Sequence, residues 1–333
     1  MEAWMPWLIF AVTTVIMVIT ANKLAEYGDV ISVHTGMGGM LVGTILLAGA
    51  TSLPELLASI SAFRIGSPDL AAGNFFGSNM VNIALLAIVD LLNVNVPLLH
   101  TRAVTHTLTA ALAAVLAVVA VIFVLADVEI VIGWVGIESI VLILLYFAGL
   151  WAIQKERGSA SAAGGATKVV PGEGFPSLRR GVVGFAVAAL VLILIVPQLV
   201  NALSDIAAQT GLGESFIGTT LLSVATSLPE LLASWAAVRI GAVEMAVGNL
   251  FGSNVFNIFA IGVADFFYTE GSFLNAVSND FALVGLFGVL VTLMALIGNI
   301  SRVERRVLFV ELDAVAILVT YVLGLYLLYQ RGM

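Results

Sequence analysis

The chain has 333 residues, 61% of them hydrophobic and 10% charged, with a mean hydropathy of +1.12. A soluble domain carries about 25% charged residues, so the sequence reads as a polytopic membrane protein. It has no cysteine and a net charge of −8, which excludes disulfide and thiolate chemistry and offers no basic patch for nucleic acid.

A spanning helix needs about 20 apolar residues. The first such run is Trp4 to Ala21. Glu2 precedes it and no basic residue does, which argues against a secretory signal. Further runs cover 31–64, 69–98, 103–126 and 130–153. Residues 155–180 break the pattern with G-S-A-S-A-A-G-G-A-T and with Pro171, Gly172, Gly174 and Pro176, the composition of a flexible linker. Five more runs follow, at 181–203, 212–239, 243–268, 278–299 and 307–329. The expectation is an all-α membrane protein of ten transmembrane helices, with five in 1–154, a linker over 155–180 and five in 181–333.

The two halves repeat each other. Gly43 to Leu86 and Gly218 to Ile261 align without a gap at an offset of 175, with 27 of 44 positions identical; a match that long marks an internal duplication. The offset also places Asp90 on Asp265, Glu138 on Asp313 and Tyr146 on Tyr321, so the repeat extends beyond the motif. The linker holds Lys155, Arg157, Lys168, Arg179 and Arg180, and the positive-inside rule places it in the cytoplasm. Eleven of the 13 basic residues then lie inside, with Arg64 and Arg331 outside. Both termini are expected to be external. Five spans per half is odd, so the second half enters the membrane inverted.

Glu55 and Glu230 sit deep in apolar runs. A carboxylate at the bilayer centre costs roughly 2.5–3.5 kcal/mol on insertion scales, and an apolar pair would serve structure more cheaply. Two such acids therefore suggest a cation site. Pro54 and Pro229 precede them in what reads as mid-helix, where proline frees the carbonyls of Ala50 and Ala225. Broken helices at membrane depth are tolerated where they line a site. Thr51 and Glu55 share a face, as do Thr226 and Glu230; Ser52 and Ser227 add hydroxyls. On the next helix Asn74, Ser78 and Asn82 form one polar stripe, with Asn249, Ser253 and Asn257 as its twin. Asn74, Asn79, Asn249 and Asn254 can also be read as hydrogen-bond glue between helices. Gly73 and Gly77, like Gly248 and Gly252, allow close helix contact. The ligand set is all hard oxygen, which suits Ca²⁺ or Na⁺ and does not suit zinc or copper. His34, His100 and His106 lie near run ends and read as interfacial.

The two sentences G-T-x-L-L…A-T-S-L-P-E…G-N-x-F-G-S-N-x-x-N-I resemble the alpha repeats of the cation/calcium exchanger superfamily, most of all its sodium/calcium exchanger branch. The resemblance implies an antiporter with four cation sites between the repeats. By matching motif positions, Glu55 and Glu230 would share Ca²⁺ and Na⁺, and main-chain oxygens of Thr51 and Thr226 would complete the Ca²⁺ site. Ala48, Ser52, Ser78, Ser223, Ser227 and Ser253 would help hold Na⁺, with Asn82 and Asn257 flanking the middle site. Asn257 departs from the family pattern, which usually has Asp there. The family's two long, sloping gating helices would match the first and sixth spans. The function implied is Ca²⁺ extrusion across the cell membrane driven by Na⁺, with H⁺/Ca²⁺ antiport in the same fold as the alternative. The proton-coupled branch resembles G-N-x-x-E, and neither Gly73-Asn74 nor Gly248-Asn249 is followed by an acid. No nucleophile–base set is found, so no enzyme activity is expected, nor any cofactor beyond the transported ions. A monomer is expected.

Overall fold

The computed structural model describes residues 3–35, 49–93, 98, 104–161, 176–300, 306–307 and 310–332. The chain is helical almost throughout. In the first half lie α1 (Met5–Thr35), α2 (Leu53–Arg64), α3 (Pro68–Leu92), α4 (Val104–Ala126) and α5 (Ile137–Ser161). A two-residue antiparallel hairpin, β1 (Val131–Ile132) with β2 (Val135–Gly136), precedes α5. The second half holds α6 (Leu178–Thr210), α7 (Glu214–Ile217), a π-helical turn at Gly218–Leu222, α8 (Ser223–Thr226) and α9 (Leu228–Arg239). It continues with α10 (Val243–Asp265), α11 (Phe273–Ala276) and α12 (Phe281–Ile300), then a second hairpin, β3 (Arg306–Val307) with β4 (Val310–Glu311), and α13 (Leu312–Gln330). Among the described residues, nine helical stretches are long and apolar enough to cross a membrane. The second predicted span, 31–64, lies outside the described residues at 36–48; the helical residues 49–51 and α2 are its described remainder beyond residue 35.

Two predicted boundaries are corrected. The first helix does not stop at Ala21 but runs to Thr35, and residues 31–35 belong to it rather than to the second span. Lys23, Glu26 and Asp29 end the apolar run without ending the helix. Lys23 pairs with Glu26 at 2.6 Å one turn on, while Met17, Ala21, Leu24 and Gly28 continue a buried face at helical spacing. Hydropathy reports where lipid ends, and helical hydrogen bonding continues past it. The sixth span is likewise extended. Ser177 caps it by accepting from Arg180 N–H at 3.3 Å, and Gly211, at φ 72°, closes it in the left-handed region that favours glycine.

With 31 and 33 residues, α1 and α6 are about 46 and 50 Å long, against a hydrocarbon thickness of about 30 Å. They pack lengthwise and antiparallel. Val30 lies against Gly181 and Tyr27 against Gly184, where a Cβ would fall 2.5 Å from the tyrosine ring. The linker is shorter than its composition predicts, because α5 runs on to Ser161 and α6 starts at Leu178.

The interior is built on α3 and α10, whose side chains are buried almost all round. Phe75, Phe76 and Phe251 fill the space beside them, and Phe76 stacks on Phe281 of α12. Asp90 and Asp265, at the ends of these helices, bind the backbone eight residues on: Asp90 Oδ1 accepts from Leu98 N–H at 2.5 Å, and Asp265 Oδ1 from Phe273 N–H at 2.7 Å. Asp265 Oδ2 also accepts from Gly136 of the hairpin at 2.8 Å. These acids tie down loops.

Candidate cation site

Both motif helices break one residue before the Leu-Pro-Glu triplet. Ser52 has φ −93° and ψ 10°, and Ser227 has φ −88° and ψ 1°, the same departure in each half. The mid-helix placement of the prolines is thereby corrected: Pro54 and Pro229 are the second residues of new helices, α2 and α9. There a missing N–H is harmless, because the first turn has no intrahelical acceptor to reach. Glu55 and Glu230 follow in the first turn, where the positive end of the helix dipole favours a carboxylate. Each break also leaves a helix C-terminus at Thr51 or Thr226, whose carbonyls have lost their next turn.

Glu55 and Glu230 are both fully buried. Each is met by the serine of the other half. Ser52 Oγ donates to Glu230 Oε1 at 3.1 Å, and Ser227 Oγ donates to Glu55 Oε1 at 3.4 Å. Ser253 of α10 adds a third hydroxyl, at 3.4 Å from Glu230 Oε1.

The asparagines sort into two kinds. Asn74 donates to the Glu55 carbonyl at 2.9 Å and to Ser59 Oγ at 3.1 Å, while its own Oδ1 accepts from Thr226 Oγ1 at 2.9 Å. Asn249 repeats the donor pattern on the Glu230 carbonyl at 3.3 Å and on Ser234 at 3.1 Å. These two are trusses that fix the carboxylate-bearing helices against α3 and α10. Deeper in, four amides cross-brace α3 and α10. Asn82 Nδ2 donates to Asn254 Oδ1 at 3.0 Å and Asn257 Nδ2 donates to Asn79 Oδ1 at 3.2 Å. Asn254 Nδ2 donates to the Asn79 carbonyl at 3.1 Å.

The chain matches the sodium/calcium exchanger protein family over residues 5–154 and 180–330. It belongs to that family. The sodium/calcium exchanger MaX1 of Methanosarcina acetivorans is 25% identical over 292 residues, covering 79% of this chain and 83% of that protein. Among solved structures, the H⁺/Ca²⁺ exchanger CAX superposes with a TM-score of 0.72 at 16% identity, covering 98% of this chain and 85% of that one. The sodium-calcium exchanger NCX_Mj superposes at 0.61 with 21% identity, covering 96% and 97%. At those identities the likeness establishes the fold, which sodium-coupled and proton-coupled proteins share.

Hydrogen bonds join Glu55 to Ser227 and Glu230 to Ser52 across the two repeats, join Glu230 to Ser253 within the second, and place Asn82 and Asn257 in the cross-brace between α3 and α10. Glu55 Oε2, Glu230 Oε2, Ser78 Oγ, Asn82 Oδ1 and Asn257 Oδ1 are buried and have no hydrogen-bond partner among the described residues. A buried acceptor without a donor costs about 1–3 kcal/mol and more when charged, so five on four helices is a donor set suited to a dehydrated cation with six to eight oxygen ligands. Asn82 and Asn257 have spent their N–H groups on the cross-brace, which turns both amide oxygens free. Ser223 is engaged differently: its hydroxyl donates to the Thr219 carbonyl at 2.6 Å, leaving lone pairs and its main chain. Ala48 lies outside the described residues. His34 is exposed and contacts the Pro176 carbonyl at 2.6 Å, far from the site.

Three features escaped the sequence reading. Ser59 and Ser234 anchor the trusses, and the S at the ninth position of T-S-L-P-E-L-L-A-S in both repeats was the available signal. The pairing of Asn79 with Asn257 needs coordinates. The π-helical turn at 218–222 packs on the glycines of α3, where a Cβ on Gly73 would lie 2.8 Å from Thr219 N and one on Gly77 2.8 Å from Thr219 Cα. Such turns recur at functional sites; here its signal was only the glycine spacing.

Proposed function

We propose that the protein exchanges Ca²⁺ for Na⁺ across the cell membrane by alternating access. Its architecture is two inverted five-helix repeats joined by a cytoplasmic linker between the helices ending at Ser161 and starting at Leu178, with both termini outside. Glu55 and Glu230 share the ions from opposite sides, with main-chain oxygens of Thr51 and Thr226. Ser52, Ser78, Ser223, Ser227, Ser253 and Ala48 assist with Na⁺. Asn82 and Asn257 are neutral oxygen ligands flanking the middle site. The observation that carries this reading is the reciprocal pairing of each carboxylate with the opposite repeat's serine, together with the buried unpartnered oxygens on the motif helices. Access alternates as the first and sixth spans, α1 and α6, move together against a rigid core holding the four motif helices, so the site opens to one side or the other without its carboxylate–serine pairs being dismantled. The protein works as an exchanger, not an enzyme, and as a monomer.

Sodium coupling is supported by the absence of an acid after Gly73-Asn74 and Gly248-Asn249, and by the sodium/calcium exchanger among its relatives. Proton coupling is the second reading, and Asn257 favours it. With Asn257 in place of an acid the middle of the site holds two carboxylates, enough to balance one Ca²⁺ or two Na⁺. A third Na⁺ would leave net positive charge at low dielectric. Uptake of ⁴⁵Ca²⁺ into proteoliposomes decides between them. Uptake that follows an imposed Na⁺ gradient is expected; uptake that ignores Na⁺ and follows an imposed pH gradient refutes sodium coupling.

A further inference from the structure

Among the described residues, one membrane face carries a tie whose residues the repeat does not preserve at the other. At the face away from the linker, Glu214 Oε1 accepts two hydrogen bonds, from Ser67 Oγ at 3.0 Å and from Ser204 Oγ at 3.3 Å. Ser204 lies in the last two turns of α6, and Ser67 immediately precedes α3. Glu214 itself opens α7, and the segment that follows is seated hard on α3. A Cβ on Gly73 would fall 2.9 Å from the Ser215 carbonyl, and one on Gly218 would fall 2.6 Å from the Leu70 carbonyl. The carboxylate therefore joins the far end of the long helix α6 to the rigid ligand-bearing core.

The repeat makes the comparison with the other face direct. At the 175-residue offset Glu214 corresponds to Gly39, Ser204 to Asp29 and Ser67 to Ala242. Glycine has no side chain and alanine no hydroxyl, so the same bridge cannot be built from the twin residues. This asymmetry contrasts with the site, where Ser52 and Ser227, Asn82 and Asn257, and Asn74 and Asn249 make matching bonds.

We propose that Glu214 is a positioning residue, a one-sided latch that holds α6 against the core and biases the protein toward the state closed on the face away from the linker. In a transporter built from inverted copies, the two access states would be equal in energy if the copies were identical. A bond made in one state and broken in the other shifts their ratio by its own strength. The inference needs α1 and α6 to move against the core. It is indifferent to whether Na⁺ or H⁺ drives exchange.

The chain has no cysteine, so paired spin labels can be placed freely. One pair, at Gln209 and Asn279, spans the face away from the linker; a second, at Thr35 and Ile240, spans the linker face. Glu214→Ala and Ser204→Ala should each raise the long-distance population of the first pair and lower that of the second, shifting the ratio of states roughly five- to tenfold. Glu214→Gln keeps an amide oxygen to accept both hydroxyls and should restore wild-type distributions. Ser204→Ala removes one oxygen atom from a half-buried site and carries the test should the alanine at 214 impair folding. Opposite movements in the two pairs cannot come from general loosening. Unchanged distributions, or both pairs widening together, overturn the latch. A wild-type protein whose distances respond to none of Ca²⁺, Na⁺ and pH overturns the moving-helix reading as well; a wild type that moves alongside variants identical to it overturns the latch alone.

Discussion

Replacing Glu230 by Gln removes one charge while keeping the shape of the site. The amide oxygen can still accept from Ser52 and Ser253, and the amide nitrogen takes the place of Oε2, which has no partner now. Two unit charges about 4 Å apart at an effective dielectric of 20 interact by about 4 kcal/mol, so a divalent ion facing one carboxylate gains about 8 kcal/mol. More than half of this is offset, because a neutral side chain no longer has to be desolvated and its oxygen still coordinates. About 3 kcal/mol remains, equivalent to a loss of Ca²⁺ affinity of more than a hundredfold. For Na⁺ the gross term is half as large, so the variant should lose Ca²⁺ more than Na⁺. The fold should not suffer, since an uncompensated buried charge is removed; without ions the variant should melt no earlier than wild type. Isothermal titration with Ca²⁺ and thermal melts with and without Ca²⁺ read both effects. Glu55→Gln should behave alike, because it too is fully buried, meets the opposite repeat's serine and leaves its Oε2 unpartnered. Retention of Ca²⁺ affinity within a factor of ten in either variant would refute the shared site, and so would loss of binding accompanied by unfolding without ions.

Three further outcomes are expected. Asn257→Asp replaces the donor to Asn79 Oδ1 by an acceptor, so Asn79 must turn its amide over; the added charge should sharpen the Na⁺ dependence of ⁴⁵Ca²⁺ flux more than it changes Ca²⁺ affinity, and an unchanged Na⁺ profile counts against a middle-site role. Gly77→Ala drives a methyl group to 2.8 Å from the backbone of Thr219, which should destabilise the packing of α3 by about 1–3 kcal/mol and lower both melting temperature and transport; wild-type melting would show that the contact is not close. Cysteines at Gly164 and Gly332 should respond differently to an impermeant maleimide on intact cells, with position 332 labelled and 164 protected; the reverse pattern overturns the orientation.

The duplicated motif made the ligand-bearing helices legible because its polar residues have no reason to survive in lipid unless they meet partners. Glu55, Glu230 and the Asn–Ser–Asn stripes stand out against apolar neighbours, and the 175-residue offset says which of them are equivalent. Helix ends were less legible. At Lys23 and at Ser204 the sequence turns polar while the helix continues, since charge marks an interface and hydrogen bonding does not stop there. The helix break falls at Ser52, two residues before the proline that signals it, because proline is conspicuous and the non-helical ψ of the serine leaves no mark in composition. Partner choice was illegible. That Ser52 meets Glu230, and Asn257 meets Asn79, depends on how two halves face each other, and neither half contains that information alone.

The crossed serines bear on how the protein is made. Glu55 is translated and inserted well before Ser227, its hydroxyl partner, exists. At about 5–20 residues per second, the intervening 172 residues take roughly 9–35 s. During that interval the first half holds a buried acid with nothing opposite it, and has to shelter it by water, by protonation or by staying loosely packed. The second half then acts as the first half's assembly factor. Residues 1–154 produced alone should be short-lived in the membrane, and co-synthesis of 176–333 as a separate polypeptide should rescue them. The burden on quality control during biogenesis thus falls on the junction between the halves, and a duplicated gene would have begun with each copy completing another.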